Sequence, residues 1–200
     1  MWNERYGEPG FAYGTEPNDF LTATAERYLR PNGEILSLAE GEGRNAVFLA
    51  RRGFRVTAVD GSAVGLDKAR VLAEEHGVEL QTVVADLGDF DLGIERWDGI
   101  VSIWCHLPST LRERLHRSVV SALRPGGVFL LEAYTPDQLR YKTGGPPSAE
   151  LLMTLAAVRH ELAGLAFLEA EEMLREIHEG RYHGGMSAVL QVVARKPKAG

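Results

Sequence analysis

Five short apolar runs punctuate the chain from residue 34 onward: "EILSL" (34–38), "RVTAVD" (55–60), "LQTVVAD" (80–86), "WDGIVSIW" (97–104) and "GVFLLEAY" (127–134). Between them, residues 45–52, 63–76 and 108–123 carry apolar side chains at three- and four-residue spacing. That alternation predicts strands of a parallel sheet joined by crossover helices. "RPNG" before the first run and "RPGG" before the fifth read as turn-and-stop signals, each closing a helix.

The last third changes rhythm. A helix is expected over 149–163, after which "AFLEAEEMLREIHEG" and "SAVLQVVARK" face each other across the glycine-containing "EGRYHGG", as in a long antiparallel hairpin. Residues 169–179 also fit an amphipathic helix. The strand reading is preferred because the partner, with Val189, Val192 and Val193 close together, is plainly β. The expected fold is α/β: a doubly wound, mostly parallel, seven-stranded Rossmann-like sheet ending in an antiparallel hairpin. This is not the usual dinucleotide-dehydrogenase arrangement.

Composition narrows the setting. Two hundred residues, 44% hydrophobic and 25% charged, suit one domain spanning 1–200. "TGGPPS" (143–148) is too short to separate two. A formal net charge of −6 argues against nucleic acid or an anionic membrane as the main partner. The single cysteine, Cys105, excludes an intramolecular disulfide and a multi-cysteine zinc site, and fits a reducing compartment. "MWNERYGEPG" lacks a signal-peptide pattern, and no apolar run approaches the roughly 20 residues of a membrane helix. The expectation is a soluble, cytoplasmic protein, monomer or homodimer.

In a doubly wound sheet the ligand lies at the carboxyl ends of the strands, so the residues just after each strand carry the chemistry. The first strand runs into "LAEGEGRNA" (38–46). Gly41 and Gly43 let the backbone approach a ligand, and the next helix aims its N-terminal amides into the same space. A plain strand-to-helix turn would use the same residues. The second strand ends in Asp60, followed by Gly61 and Ser62. A carboxylate there can accept both hydroxyls of a ribose, although it can also cap the next helix. The third ends in Asp86 and Leu87, a pair suited to the edge and face of an adenine. Together the three strand ends point to an adenosine-type ligand.

With those residues in view, the chain resembles the class I S-adenosylmethionine-dependent methyltransferases, and within them the small-molecule branch that includes the TehB tellurite-resistance proteins. The resemblance runs through "RYG", "FAYGTEPNDFL", "LAEGEGRNAVFLA", "VTAVDGS", "VVADLGDF", "WDGIVSIWCHLP", "LRPGGVFLLEAYTPDQL", "TGGPP" and "HEGRYHGG". "YG-x-x-P-N" and "TGGPP" are the narrower words. The superfamily usually shows an acid and three glycines, as in D-x-G-x-G-x-G, where this chain has Ser37 and Ala39 before Gly41 and Gly43. Ala39 is a mild change provided its φ is negative. Ser37 removes the usual carboxylate, for which Glu40 or Glu42 are the available substitutes.

The resemblance implies S-adenosylmethionine as cofactor, S-adenosylhomocysteine as product, and a cofactor site formed by Ala39, Glu40, Gly41, Gly43, Asn45, Asp60, Gly61, Ser62, Asp86, Leu87 and Trp104. It implies an in-line displacement that needs mainly alignment, with a base only if the acceptor arrives protonated. Residues 1–30 would form a lid or helix segment over the cofactor. His106 is the candidate catalytic base or oxyanion donor, with helix capping as its alternative. Cys105 reads as a buried filler rather than a nucleophile. Arg5, Tyr13, His178, Arg181 and His183 are candidate substrate contacts, Tyr6 and Tyr182 lying beside them, and the cations suit an oxyanion or anionic small acceptor. No metal spacing is recognisable. The expected reaction is methyl transfer to a small molecule, possible acceptors being soft or oxyanionic groups of the tellurite, selenite or thiol type. The rivals are a non-catalytic cofactor-binding protein and a nicotinamide-dependent oxidoreductase, against which the absence of a Tyr-x-x-x-Lys pair and the terminal hairpin both count.

Overall fold

In the computed structural model, which describes residues 2–198, the five apolar runs form the parallel body of a single sheet. These are β1 (Glu34–Leu38), β2 (Arg55–Asp60), β3 (Gln81–Val84), β4 (Trp97–Ile103) and β5 (Leu123–Tyr134). The hairpin of β6 (Ala166–Glu179) and β7 (His183–Arg195) completes it, in the order β3-β2-β1-β4-β5-β7-β6. β7 runs antiparallel to both β5 and β6. Residues 169–179 are therefore strand rather than helix.

Both faces of the sheet are covered, by α2 (Asp19–Tyr28), α3 (Arg44–Arg51), α4 (Ala63–Glu75), α5 (Ser109–Ala122) and α6 (Leu155–Glu161), while the short α1 (Trp2–Tyr6) packs on α4. Successive strand residues point to opposite faces, so each central strand feeds two cores. Leu36, Ile100, Phe129 and Leu131 pack with Leu115, Val119 and Val158 of α5 and α6. Ile35, Val101 and Leu130 pack with Leu21, Leu49 and Leu66 of α2, α3 and α4. Burial on both sides is why these strands read as continuous apolar runs. No helix among the described residues is long and apolar enough to cross a membrane.

Two local expectations change. The helix expected over 149–163 is split into a 3-10 turn, Ala149–Leu151, and α6. Between them the Met153 amide donates to the Tyr134 carbonyl (3.0 Å), which draws the chain to the end of β5, and Thr154 restarts the helix by accepting from the Ala157 amide (3.2 Å). "RPGG" is not a stop ahead of the fifth strand. Leu123 already pairs with Trp97 and pairing resumes at Gly99 and Val128, so the four residues form a bulge within β5, with Gly126 at φ 84°.

β1 is bonded to β2 on one side and β4 on the other, so the winding direction reverses beside it. A crevice at the carboxyl ends of β1 and β4 follows from that reversal.

Candidate cofactor and acceptor site

At that crevice lies a cavity of about 680 Å³, within the range of roughly 300–1,000 Å³ usual for small-molecule sites. Its floor is the end of β1 with Ser37, Ala39 and Glu40; its walls are Trp104 and His106 after β4, residues 144–148, Tyr13 and the hairpin residues Tyr182 and His183.

The loop after β1 is built from left-handed residues: Ala39 at φ 51°, Gly41 at 65° and Gly43 at 93°. The condition under which Ala39 would be a mild replacement therefore fails, since it takes up the backbone conformation that favours glycine. A Cβ on Gly43 would lie 2.6 Å from the Ala69 Cβ, so that glycine allows the loop to press against α4. A Cβ on Gly41 would meet the Tyr6 hydroxyl, also at 2.6 Å.

The two glutamates of the loop go opposite ways. Glu40 folds back beside Ser37, whose hydroxyl donates to Oε2, while Oε1 accepts from the amides of Asn45 (3.1 Å) and Ala46 (2.9 Å) at the start of α3. Burial pushes its carboxyl up to about 7 against those bonds. Glu42 accepts from the Ala12 amide (2.7 Å) and Lys68 Nζ (2.9 Å), tying the N-terminal segment to α4. Asn45 lines the cavity and its Oδ1 accepts from the Asn18 amide (2.9 Å).

Asp60 accepts from the Gly41 amide (2.9 Å) through Oδ2 and from the Ser62 amide (2.7 Å) through Oδ1, leaving each oxygen a further lone pair. Burial raises its pKa, opposed by the same two bonds. Ser62 caps α4 by accepting from the Gly65 amide (3.1 Å) and donates to Asn3 Oδ1 (2.6 Å). Through that bond, and with Tyr6 against Gly41 and Gly65, α1 lies over the end of β2. Asp60, Gly61 and Ser62 consequently stand behind α1 and not on the cavity surface. Asp86 is exposed and accepts from the Gly88 amide (2.7 Å) within its own turn; Leu87 packs against the core under α5. Neither reaches the cavity.

Trp104 sits at φ 57°, a second left-handed residue across the cavity from Ala39. Its ring stacks on Tyr134 (centroids 4.4 Å apart) and its Nε1 donates to Glu179 Oε2 (2.6 Å). His106 has both nitrogens engaged: Nδ1 donates to the Leu151 carbonyl (2.9 Å) and Nε2 accepts from the Tyr134 amide (3.4 Å). The carbonyl partner assigns the proton to Nδ1. Burial pushes His106 down to about 4, so the ring is neutral. Cys105 is buried and its thiol is pushed up to about 12 by burial, as suits a filler.

The substrate candidates divide. Arg5 donates to the Tyr13 hydroxyl (2.9 Å) and lies over the Tyr182 ring, while the Tyr13 ring stands 4.7 Å from that of His183. These line the cavity together. His178 is exposed beside Glu176, and Arg181 is exposed beside Glu8, both outside it.

Under the cavity runs a buried charge network that the strand-end rule does not reach. Asn18 Nδ2 donates to Glu132 Oε2 (2.6 Å) and Glu179 Oε1 (2.8 Å). Arg44 donates to Glu179 (2.7 Å) and Arg175 to both oxygens of Glu132 (2.8 and 2.7 Å). Burial works against ionised Glu179, but its contacts with His183, Arg44 and Asn18 outweigh that and hold it well below the usual carboxylate range. Two signals for this network are present in the chain: Asn18 closes the "YG-x-x-P-N" word, and Glu132 is an acid within an otherwise apolar strand.

Residues 35–127 match the family model described as a methyltransferase domain. The 2-heptyl-1-hydroxyquinolin-4(1H)-one methyltransferase of Mycobacteroides abscessus is 31% identical over 114 residues, covering 53% of this chain and 50% of that protein. The chain thus spans about half the length of the curated relatives it matches. Among solved structures, one concerned with conversion of a disulfide bond into a thioacetal group during echinomycin biosynthesis superposes with TM-score 0.78 at 19% identity, covering 98% of this chain and 88% of that one. TehB from Haemophilus influenzae superposes with TM-score 0.71 at 19% identity, covering 98% of this chain and 65% of that one. At such identities the superpositions speak for the fold. Sheet order, the match over residues 35–127 and the sequence relatives thus agree in the similarity of this chain to methyltransferases.

Proposed function

We propose that the protein transfers a methyl group from S-adenosylmethionine to a small organic acceptor bound in the cavity between the β1 loop and the hairpin. The observation that carries this reading is the meeting, in one cavity at the switch point, of a strained β1 loop and an aromatic wall, with Ala39 and Trp104 both held left-handed across it. Residues on the cofactor side have the right chemistry. Glu40 offers a carboxylate to the ammonium of the methionine part beside Ser37, where the family's usual acid is missing. Asp60 retains lone pairs for ribose hydroxyls, with Gly61 and Ser62 beside it, and Asp86 and Leu87 would meet only an adenine that extends beyond the cavity past the end of β3. Since α1 covers the end of β2, the stretch ahead of Asn18 serves as a lid that opens to admit the adenosine portion, while α2, the rest of the expected lid segment, stays packed in the core through Leu21.

The cofactor supplies an electrophilic methyl on a sulfonium sulfur. What this chain supplies is alignment and the exclusion of water. Trp104, fixed through Nε1 by Glu179 and by its stack on Tyr134, presents a ring surface suited to a cation. His106 positions the chain: with both nitrogens used, it joins the end of β5 to Leu151. An inorganic oxyanion would find Arg5 alone among the candidate cations besides His183, because His178 and Arg181 lie outside. The tyrosine and tryptophan walls favour an organic acceptor, as does the hydroxyquinolone in the name of the Mycobacteroides abscessus relative.

Calorimetry with millimolar ligands tests the reading. S-Adenosylmethionine and S-adenosylhomocysteine are expected to raise the melting temperature, by roughly 2.7 kcal/mol of added stability at one hundred times Kd, while NAD and NADP leave it unchanged. No shift with either adenosyl compound would overturn it.

A further inference from the structure

We propose that His183 Nε2 takes the proton from an acceptor that presents a hydroxyl on an aromatic ring, with Glu179 as the positioning residue behind the imidazole. This rests on the methyl-transfer reading above.

His183 is only 7% exposed and lines the cavity, yet neither ring nitrogen is hydrogen-bonded among the described residues. Its Nδ1 is fully buried and lies 3.6 Å from Glu179 Oε2. That carboxylate cannot swing away, because Arg44, Trp104 and Asn18 all donate to it. With an anion fixed on the Nδ1 side, the neutral ring carries its proton on Nδ1 and keeps the Nε2 lone pair open. A gap of this size is common in an unliganded base pair and closes when substrate binds. His106 offers the contrast, since its two nitrogens are already committed.

The groups around the ring are Glu179, Arg44 and Arg5, which are charged, His106, which is neutral but within electrostatic reach, and Tyr13, Trp104 and Tyr134, whose rings lie 4.7, 5.4 and 5.4 Å from it. Burial lowers the pKa of His183 against the pull of Glu179, which leaves it neutral and able to accept at pH 7. Of the three aromatic residues, Tyr13 and Trp104 line the cavity beside His183, and the fully buried Tyr134 backs the Trp104 ring, so the apolar surface next to Nε2 suits a planar acceptor.

In the reaction the oxygen–hydrogen bond breaks with its proton passing to Nε2, and the oxygen lone pair forms the bond to the methyl carbon. The carbon–sulfur bonding pair returns to sulfur, and the imidazolium afterwards gives its proton to water. The acceptor leaves as a methyl ether.

Two probes with the same ring separate base catalysis from positioning. 1-Naphthol is protonated at pH 7.5 and naphthalene-1-thiol is largely ionised. Transfer of labelled methyl to each is measured for the wild-type chain and for His183→Gln and His183→Asn, with melting curves for all three. The naphthol rate is expected to fall about 100-fold or more in both variants, in line with the usual contribution of a general base. The thiol rate falls by less than about tenfold, and the acid-side limb of the naphthol pH profile disappears. Equal losses with both probes, or no loss with naphthol, would overturn the base role. Wild-type chain that binds S-adenosylmethionine but methylates neither probe would overturn the acceptor class. Failure to bind S-adenosylmethionine at all would instead sink the underlying reading.

Discussion

Asn18 and Glu179 lie 161 positions apart in the chain and are joined by a hydrogen bond of 2.8 Å. Asn18 also bonds Glu132, caps α2 by accepting from the Leu21 amide (3.0 Å), and gives its own amide to Asn45. Asn18→Ala removes the donor shared by two buried carboxylates, and the loss is expected to be roughly 2–4 kcal/mol. Urea denaturation measures it. A loss below about 0.5 kcal/mol would mean that the arginines alone satisfy both acids.

Ala39 pays for a left-handed backbone without a glycine's freedom. Ala39→Gly relieves a strain of roughly 1–2 kcal/mol, partly offset by the greater entropy of glycine in the unfolded chain. The variant is expected to gain about 0.5 kcal/mol in chemical denaturation. A destabilised variant would show that the methyl group packs usefully enough to outweigh the strain.

Gly43 is the opposite case. A methyl there meets Cβ and Cα of Ala69 at 2.6 and 2.7 Å and would also be held at φ 93°. Gly43→Ala is expected to cost roughly 2–4 kcal/mol from overpacking plus strain. Gly41→Ala meets only the end of the Tyr6 side chain, which can move, and costs less. Parallel melting curves of the two variants check that order.

Glu40 makes stability depend on pH. Its folded-state pKa of about 7 lies above the ordinary 4.5, so the protonated carboxyl is the form that the fold prefers. The contribution is present below pH 4.5 and is lost as pH rises through about 7. Relative to the wild-type chain, Glu40→Gln is therefore expected to become steadily more stable from pH 4.5 to 7 and to hold that advantage above it. Urea midpoints across this range would show a flat difference if Glu40 were ionised throughout.

Much of the architecture could be read along the chain because it is local. β1 and β2 coincide with their apolar runs, α4 begins at Ala63 although Ser62 rather than Asp60 caps it, and the valine-rich β7 identified β6 as its partner. Failures came where a distant contact overrode local signal. The Met153 amide reaching Tyr134 split the helix expected over 149–163, and pairing with Trp97 kept Arg124–Gly127 inside a strand. The same holds in the site. Residues following β1 and β4 were found from strand ends, whereas Asn18, Glu132, Glu179 and Arg175 meet across separations that no spacing rule encodes. The conformation of Ala39 was equally hidden, because an alanine carries no mark of positive φ.

β7 is inserted between β5 and β6, and the hairpin it forms brings Glu179 and His183 to the cavity. During synthesis, then, the β1 loop and Trp104 leave the ribosome long before the wall opposite them exists. Residue 18 must wait for residue 179, and closing so long a loop is among the slower events of folding. Competence to bind is thus acquired only once residues 179–183 have been made, with the hairpin acting as its timekeeper.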